Sequence, residues 1–437
     1  MLKSGFARLD ITPPLDTTLA GYFEIRRADN VLDPLYATAV AFDDGEKRAV
    51  IISIDNLGIV SSMTDKYRSE IAKVCGMERE GVFLACTHTH TAPRMGVWCN
   101  DTVFEPEYAD FLGKKLCSVA RIAFADLAPS ELSYTRGEAK DVSFIRRYRM
   151  RDGSAKTNPG FLNPDIVAPI GQADETSQLL VIKREGKPEI GIVNFQVHPD
   201  TIGGCSVSAD YPKFVRDTYE KLIDNSVCMY INGAQGDSNH FDVRLSKDKC
   251  RSGYDRTRYM GRKIAMSVVE NYELREKLKG DKISFAEKNV VVKYNRGAPE
   301  EIPEAKRINE EYKRTNDAKS IPGIVGNPYW AVAKAGRIMA IEELGEKRCL
   351  PLVAISVGDV VFGGFPGEPF TEMGRIVKNK SKFTLTIPSC CTNGYEGYYP
   401  MMDAYDEAGY EANSARYERG TAEKLANEMV DLINTLK

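Results

Sequence analysis

The sequence predicts an α/β fold, with helices packed on mixed β-sheets, and three observations support that class. Short apolar runs of strand length alternate with amphipathic helical patterns along the 437 residues. Many of these runs end in loops rich in Gly, Pro or Asn, as strands commonly do. No linker, repeat or low-complexity tract interrupts the alternation. We therefore expect residues 1–437 to form a single domain in which helices cover the faces of mixed sheets.

The first half of the chain is expected to supply most of the strands. Residues 4–12 alternate and stop at Pro13-Pro14, and residues 36–42 and 49–54 read as a hairpin across an Asp-Asp-Gly turn. The other predicted elements are a helix over 63–74, a strand over 81–86, a helix over 108–124, strands over 132–138, 178–182 and 190–195, a helix over 211–222 and a strand over 227–231. Residues 140–176 are predicted to be irregular.

The second half is predicted to contain more helix. Its expected elements are a helix over 256–272, a strand over 283–292, helices over 304–312 and 329–344, a hairpin of 352–357 and 360–362, a helix of about ten residues after Glu368, a strand over 383–387 and a final helix over 422–436. Residues 392–417 form a predicted loop dense in Gly and Tyr.

Composition excludes several classes of function. The net charge is −3, which gives no electrostatic footprint for nucleic acid. No apolar run approaches the roughly 20 residues of a membrane span. The N-terminus lacks an apolar signal core, which favours a cytoplasmic protein, although a secreted or periplasmic protein without its signal would look the same. The ten cysteines are scattered and include no Cys-x-x-Cys pair. We expect a small-molecule partner, and a homo-oligomer stays open.

The four histidines of the chain provide the strongest functional signal. His88 and His90 follow the apolar run 82–86, and residues i and i+2 of a strand point to one side. His198 and His240 also lie in loops after predicted strands, where α/β proteins bind ligands. Imidazole is the commonest metal ligand, and zinc needs three or four N, O or S donors. His88, His198 and Glu368 are the expected ligands, with the fourth donor open; the alternative is that the histidines only satisfy loop hydrogen bonds.

Two other clusters of polar residues are candidates for the same site. Asp237-Ser238 follows an apolar strand, where a serine can be presented as a nucleophile. The surrounding residues do not form Gly-x-Ser-x-Gly, and Ser238 also fits a turn or N-cap role. The tyrosines between 395 and 410 either pack together or line a cleft.

An ordered set of short motifs resembles the neutral (alkaline, non-lysosomal) ceramidases. Phe83 to Pro93 resembles their His-Thr-His-Ser/Ala-Gly-Pro signature, and Gly233 to Asn239 resembles their Gly-Asp-Val-Ser-Pro-Asn loop. The other matching segments are Gly5 to Pro13, Gly21-Tyr22, Phe195 to Pro199, Pro366-Gly367-Glu368 and the tyrosines 395, 398, 405 and 410. These motifs run in the family's order from about residue 5 to 417, so the resemblance implies a neutral-ceramidase-like catalytic domain.

The resemblance also implies roles for individual residues. Zinc would be bound by His88, His198, Glu368 and Tyr398. The expected catalytic residues are His90, which would contact the substrate or share a proton, Arg147, Asp237 and Ser238. Gly21, Tyr395 and Tyr410 would line the substrate pocket. The implied reaction is hydrolysis of an amide (N-acyl) bond, with zinc polarising the carbonyl and activating a water.

The sequence differs from the family pattern in two ways, which affect the expected nucleophile and the expected substrate. The family's serine comes two residues after its aspartate, but here Ser238 follows Asp237 directly. We therefore favour metal-activated water over a serine nucleophile. Ceramidases also carry a C-terminal immunoglobulin-like domain, for which no residues remain here, so we expect a substrate other than ceramide. The alternatives are a zinc-dependent hydrolase of an ester or a sugar-derived substrate, and a metal- or ligand-binding module without turnover.

Overall fold

Two β-sheets face each other in the computed structural model of this protein. The structure describes residues 1–96, 105–250, 253–342, 344–407 and 409–437. In spatial order, the strands of the large sheet are Ser226–Asn232, Glu189–Phe195, Thr176–Arg184, Ala128–Glu138, Lys3–Asp10, Tyr36–Asp43, Arg48–Ile54 and Val82–Cys86. A short strand, Glu276–Lys277, also pairs with Ala128–Glu138. Neighbours are antiparallel except in the outermost pair at each edge, which is parallel, so the sheet is mixed.

A smaller sheet packs against one face of the large one. Its strands, in spatial order, are Ile283–Lys293, Lys347–Val357, Val360–Gly364 and Leu385–Ser389. Val40, Ile51 and Phe83 of the large sheet share a buried core with Ile355 and Phe362 of the smaller one. Because side chains alternate along a strand, the intervening residues of the large sheet point to its opposite face. Both faces of the large sheet are therefore buried.

Helices cover the outer faces of the two sheets. The α-helices are Ser61–Cys75, Pro106–Ala125, Tyr211–Leu222, Gly253–Val269, Ile302–Thr315, Pro328–Glu342, Thr371–Lys380, Met402–Glu407, Tyr410–Ser414 and Thr421–Asn434. The first two pack on one half of the large sheet, and the third and fourth pack on its other half. Thr371–Lys380 and Thr421–Asn434 pack on the smaller sheet. The order of layers is helices, sheet, sheet, helices, which confirms the predicted fold class.

The segments predicted to be irregular contain short elements. Within 140–176, the strand Arg147–Met150 pairs with Ala155–Thr157 and Ile166–Pro169. Four two-stranded pairs are also present: Thr18–Leu19 with Arg26–Arg27, Asn30–Val31 with Ser206–Val207, Phe144–Ile145 with Ser238–Asn239, and Glu368–Pro369 with Tyr398–Tyr399. Strands of two to four residues are too short to show a period-2 pattern, so hydrophobic periodicity does not reveal them.

The two edges of the large sheet are joined by the chain that follows Leu385–Ser389. The Cys390 amide donates to the Asn232 carbonyl (3.0 Å), and the Cys86 amide donates to the Cys391 carbonyl (3.2 Å). Asn232 Nδ2 also donates to the carbonyl of Thr87 (3.1 Å). The carboxyl ends of the two edge strands therefore meet, and the loops that follow them face each other.

Two further features concern the described residues only. None of their helices combines the length and the apolar character needed to cross a bilayer. The described cysteines are all free thiols, and Cys99 lies outside the described residues.

Candidate metal centre

His88 enters the centre from a strained turn after the edge strand. The strand Val82–Cys86 ends before it, and His88 has φ +74°, in the left-handed region that non-glycine residues rarely adopt. Its amide donates to the Asn56 carbonyl, and its Nδ1 donates to the Leu57 carbonyl, both at 2.8 Å. Because Nδ1 carries the proton, the lone pair of a neutral His88 is on Nε2. That atom lies 3.2 Å from Glu368 Oε2.

His198 is held in the same way on the opposite side of the centre. It follows the strand Glu189–Phe195, and its Nδ1 donates to the Gln235 carbonyl at 3.0 Å. Its Nε2 also lies 3.2 Å from Glu368 Oε2, but this buried nitrogen makes no hydrogen bond of ordinary geometry. A metal-binding imidazole commonly donates its other N–H to a carbonyl or carboxylate, which fixes the ring and its tautomer. His88 and His198 both show this arrangement.

Glu368 is fully buried between the two imidazoles. The Tyr395 hydroxyl donates to its Oε1 (2.8 Å), and Gln235 Nε2 donates to its Oε2 (3.3 Å). The backbone of Gly236 lies so close that a Cβ there would be 2.5 Å from the Glu368 carbonyl oxygen, so only glycine fits. Glu368 is thus oriented by a tyrosine, an amide and a glycine-containing loop.

Four potential ligand atoms converge on one buried volume. His90 Nε2 lies 3.4 Å from His88 Nε2, and the donor nitrogens of His88, His90 and His198 all lie within 4.8 Å of one another. Neutral imidazole nitrogens and a carboxylate present lone pairs to each other, which is unfavourable unless a cation or a proton lies between them. The donor set of nitrogens and one carboxylate oxygen suits zinc. The described residues therefore fit a metal ion.

The electrostatics of the cluster support this conclusion. Burial alone would raise the pKa of Glu368, but His88 and His198 hold it well below its usual value, so the carboxylate stays ionised. Burial disfavours protonation of His88, yet the Glu368 charge outweighs it and raises the pKa of His88. Burial, with a contribution from Arg146, lowers the pKa of His198 to about 4. The ionised Glu368 carboxylate therefore favours a positive charge, a proton or a metal cation, between itself and the histidines.

His90 lies against the Gly21-Tyr22 turn. A Cβ on Gly21, which has φ +105°, would be 2.7 Å from the Cβ of His90. His90 Nδ1 lies 3.5 Å from Asp200 Oδ1 and makes no hydrogen bond, while the Tyr22 hydroxyl donates to Asp200. Burial lowers the pKa of His90 well below its usual value and raises the pKa of Asp200 to about 7. His90 is as close to His88 as a third ligand would be.

Arg146, rather than Arg147, is the arginine beside the cluster. Arg146 donates to Glu411 Oε1 (2.6 Å) and to the Gly236 carbonyl (2.7 Å), and its guanidinium lies 5.3 Å from the Tyr398 ring centre. Arg147 instead donates to Glu407 Oε2 at 2.6 Å. Adjacent residues of an extended segment point to opposite sides, and the sequence motif Ile-Arg-Arg does not show which one faces inward. The position of Arg146 therefore favours it over Arg147 as the arginine of the site, while a catalytic role for either residue stays a prediction.

The predicted tyrosines gather around the same volume. The Tyr398 ring stacks on His198 with 6.3 Å between ring centres, and its hydroxyl bonds to Arg146. Tyr410 packs edge-on against Tyr398 at 5.7 Å. Tyr395 reaches the centre through its hydrogen bond to Glu368. The alternative that these rings line a cleft is favoured over packing alone, while direct ligation by Tyr398 stays a prediction.

The Asp237-Ser238 loop has its polar groups satisfied internally. Asp237 Oδ1 accepts from the Thr371 amide and hydroxyl, both at 2.7 Å, at the start of the helix Thr371–Lys380. Ser238 Oγ is fully buried and donates to the Gln235 carbonyl at 2.8 Å. These contacts correspond to the turn and cap roles that the sequence allowed for a residue such as Ser238.

The fourth histidine does not join the cluster of described donors. His240 packs edge-on against Phe241, and burial lowers its pKa to about 3. Sequence reasoning missed Gln235, Asp200 and the Leu57 carbonyl. These groups orient the histidines, but they lie in loops that contain no recognisable motif. The only sequence signal for their role was their position directly after predicted strands.

Comparisons with known proteins agree with this fold. No protein-family model matches the sequence, and no curated protein sequence matches it significantly. Among solved structures, a neutral ceramidase from Pseudomonas aeruginosa superimposes with a TM-score of 0.74 at 17% identity, covering 100% of this chain and 74% of that one. A structure described as ceramidase complexed with C2 gives 0.74 at 18% identity, covering 100% and 75%. The chain therefore has a neutral-ceramidase-like fold.

Proposed function

We propose that the protein is a zinc-dependent hydrolase that cleaves an amide (N-acyl) bond in a substrate other than ceramide. One observation carries the proposal: the side chains of His88, His198 and Glu368 converge in a buried site with their lone pairs facing inward. The neutral-ceramidase-like fold supports a hydrolytic role for such a site. A purely structural cluster would be expected to pair these groups with donors of its own.

His88, His198 and Glu368 would hold the zinc, with His90 or Tyr398 as a further ligand. When bound, zinc would polarise the substrate carbonyl and lower the pKa of a water toward about 7. Tyr395 holds Glu368 in place through its Oε1. The carbonyls of Leu57 and Gln235 keep Nε2 of each histidine free of a proton.

The residues around the donors would bind and orient the substrate. Arg146 is a buried cation beside Tyr398 and would stabilise negative charge that develops on the carbonyl oxygen. His90, if it does not bind zinc, would exchange a proton with the reacting groups, and Asp200 lies at its other ring nitrogen. Gly21 and Tyr410 would shape the pocket wall. Ser238 donates its hydroxyl to a carbonyl, which favours activated water as the nucleophile.

The test is hydrolysis by metal-depleted and zinc-restored protein across matched panels of N-acyl amides and esters. We expect at least one N-acyl amide to be cleaved with release of its amine. This hydrolysis should be lost on chelation of the metal and recovered when zinc is added. Cleavage of esters alone would replace the amide assignment with the esterase alternative. Zinc binding without turnover of either panel would favour a binding module. Full activity after complete metal removal would contradict the proposal.

A further inference from the structure

A narrow cavity lies next to the metal centre and shares two of its residues. Phe23, Tyr395, Tyr398 and Tyr410 form its aromatic walls. The Tyr395 hydroxyl contacts Glu368 and the Tyr398 hydroxyl contacts Arg146, so the cavity borders the proposed metal centre. The cavity is narrow, with an open volume of about 10 Å³, about that of one water molecule. A slender substituent of a substrate bound at the centre would enter it with a small shift of the aromatic side chains.

The cavity is lined by two arginines and by no acidic residue among the ten that surround it. Arg337, on the helix Pro328–Glu342, is 5% exposed and donates to the Asn295 carbonyl. Among the described residues, its buried Nε has no hydrogen-bond partner and Arg337 forms no ion pair. The second arginine, Arg416, lies 3.5 Å from Glu396.

Two other buried arginines, unlike Arg337, form ion pairs with carboxylates of described residues. Arg216 donates to both oxygens of Asp55 at 2.8 and 2.7 Å, and Arg68 donates to Glu287 at 2.8 Å. Buried charges are normally paired because removing them from water is unfavourable. Burial lowers the pKa of Arg337 more than the nearby charge of Glu301 raises it. A carboxylate placed in the cavity would supply the charge that pairs with Arg337.

We propose that this cavity is a subsite for a carboxylate of the substrate, which makes the preferred substrate an amide that carries a carboxylate, such as an N-acyl amino acid. The inference rests on the proposed function, because the scissile amide must lie at the metal centre. A planar guanidinium matches a carboxylate in geometry and charge, and the narrow cavity suits this small group better than a phosphate or a sugar.

The test uses zinc-binding probes that are not substrates. These are the monohydroxamates of succinic, glutaric and adipic acid, each compared with the carboxamide that replaces its free carboxylate. Their affinity for the zinc-loaded protein is measured by calorimetry. We expect at least one acid to bind about 10-fold or more tightly than its matched carboxamide, because a charge-assisted bond to Arg337 is stronger than a neutral one.

Two variants test whether Arg337 causes the preference for the acid over the carboxamide. Arg337→Gln should remove the preference for the acid while keeping the affinity for the carboxamide. Ala340→Glu should do the same without removing the arginine, because Ala340 lines the cavity, is exposed and lies one helical turn from Arg337. Ala340→Gln is its neutral control and should keep the preference, and thermal melts establish that each variant is folded.

Each outcome has a defined meaning. If acid and carboxamide bind equally to the unmodified protein at every chain length, the carboxylate subsite is refuted and the metal centre stands. If the preference survives in both Arg337→Gln and Ala340→Glu, the carboxylate lies elsewhere and the subsite is refuted. If no hydroxamate binds, the zinc centre is refuted, and the subsite with it.

Discussion

The histidine cluster and the Asp237-Ser238 loop are both buried, polar and placed after strands of the large sheet, yet their hydrogen bonding differs. In the loop, Asp237 accepts from the Thr371 amide and hydroxyl, and Ser238 donates to the Gln235 carbonyl. In the cluster, His198 Nε2 and His90 Nδ1 are buried and have no hydrogen-bond partner in the described part of the chain. Both regions were expected from the sequence to be catalytic.

This difference in hydrogen bonding indicates which of the two regions binds a ligand. A buried polar group that is hydrogen-bonded within the protein is stable without a substrate or metal. A buried group that lacks a partner is unfavourable unless something binds to it. This contrast favours the histidine cluster, rather than Asp237 and Ser238, as the region that binds a ligand. Four predictions test that contrast.

The largest effect is expected from His198→Ala, with His88→Ala as an independent repeat. Removing either imidazole leaves too few donors for tight zinc binding, so zinc content and hydrolysis should fall together. Loss of an outer partner alone weakens a metal site by about 10- to 100-fold, and loss of a ligand should exceed that. Zinc is measured by mass spectrometry of the purified protein. A variant that keeps stoichiometric zinc and full activity would contradict the assignment of that histidine.

Tyr395→Phe should have an intermediate effect, because it removes the hydroxyl that donates to Glu368 Oε1. We expect zinc affinity to fall by about 10- to 100-fold while the fold is kept. Competition with a chromophoric chelator gives the affinity. Tyr405→Phe is the matched control, since its hydroxyl donates to the Tyr417 carbonyl outside the cluster. Equal affinities in the two variants would show that Tyr395 does not orient Glu368.

Asp237→Ala should alter stability and leave zinc stoichiometry unchanged. It removes the acceptor for the Thr371 amide at the start of a helix, and the expected loss is about 1–2 kcal/mol in the free energy of unfolding. Chemical denaturation measures the change. If this variant lost zinc at unchanged stability, the loop would have to be counted as part of the metal site.

The smallest effect is expected from Ser238→Ala. The change removes one hydrogen bond, to the Gln235 carbonyl, at about 1 kcal/mol of stability. The rate of hydrolysis should stay within about 10-fold, whereas loss of a serine nucleophile reduces kcat on the order of 10⁶-fold. A collapse of kcat with zinc still bound would restore Ser238 as the nucleophile.

Much of this fold could be predicted from hydrophobic periodicity. The helix Tyr211–Leu222 and the hairpin Tyr36–Asp43 with Arg48–Ile54 agree with the sequence-based bounds to within one residue, because long amphipathic patterns dominate their packing. The short strands of 140–176 were missed, because two to four residues show no hydrophobic period and one of them, Phe144–Ile145, pairs with the distant Ser238–Asn239. The resemblance to neutral ceramidases was confirmed at the level of the fold.

The site was less predictable in its details. Side-chain alternation along a strand predicted that His88 and His90 face one site. The prediction is correct, but alternation is not the reason. Both histidines do face one site, but the strand ends at Cys86 and His88 adopts a left-handed backbone conformation. The choice between Arg146 and Arg147 depends on which side of an extended segment faces inward, and no local pattern encodes it. The orienting Gln235 and Asp200 belong to loops whose paths depend on tertiary contacts.

The central claim is that His88, His198 and Glu368 bind one zinc ion, and anomalous diffraction at the zinc edge tests it most directly. Crystals of the zinc-loaded protein should show a single peak about 2.0–2.2 Å from Nε2 of both histidines and from a carboxylate oxygen of Glu368. The peak should be absent from crystals of His198→Ala grown under the same conditions. A zinc-loaded crystal without a peak at this cluster would contradict the account.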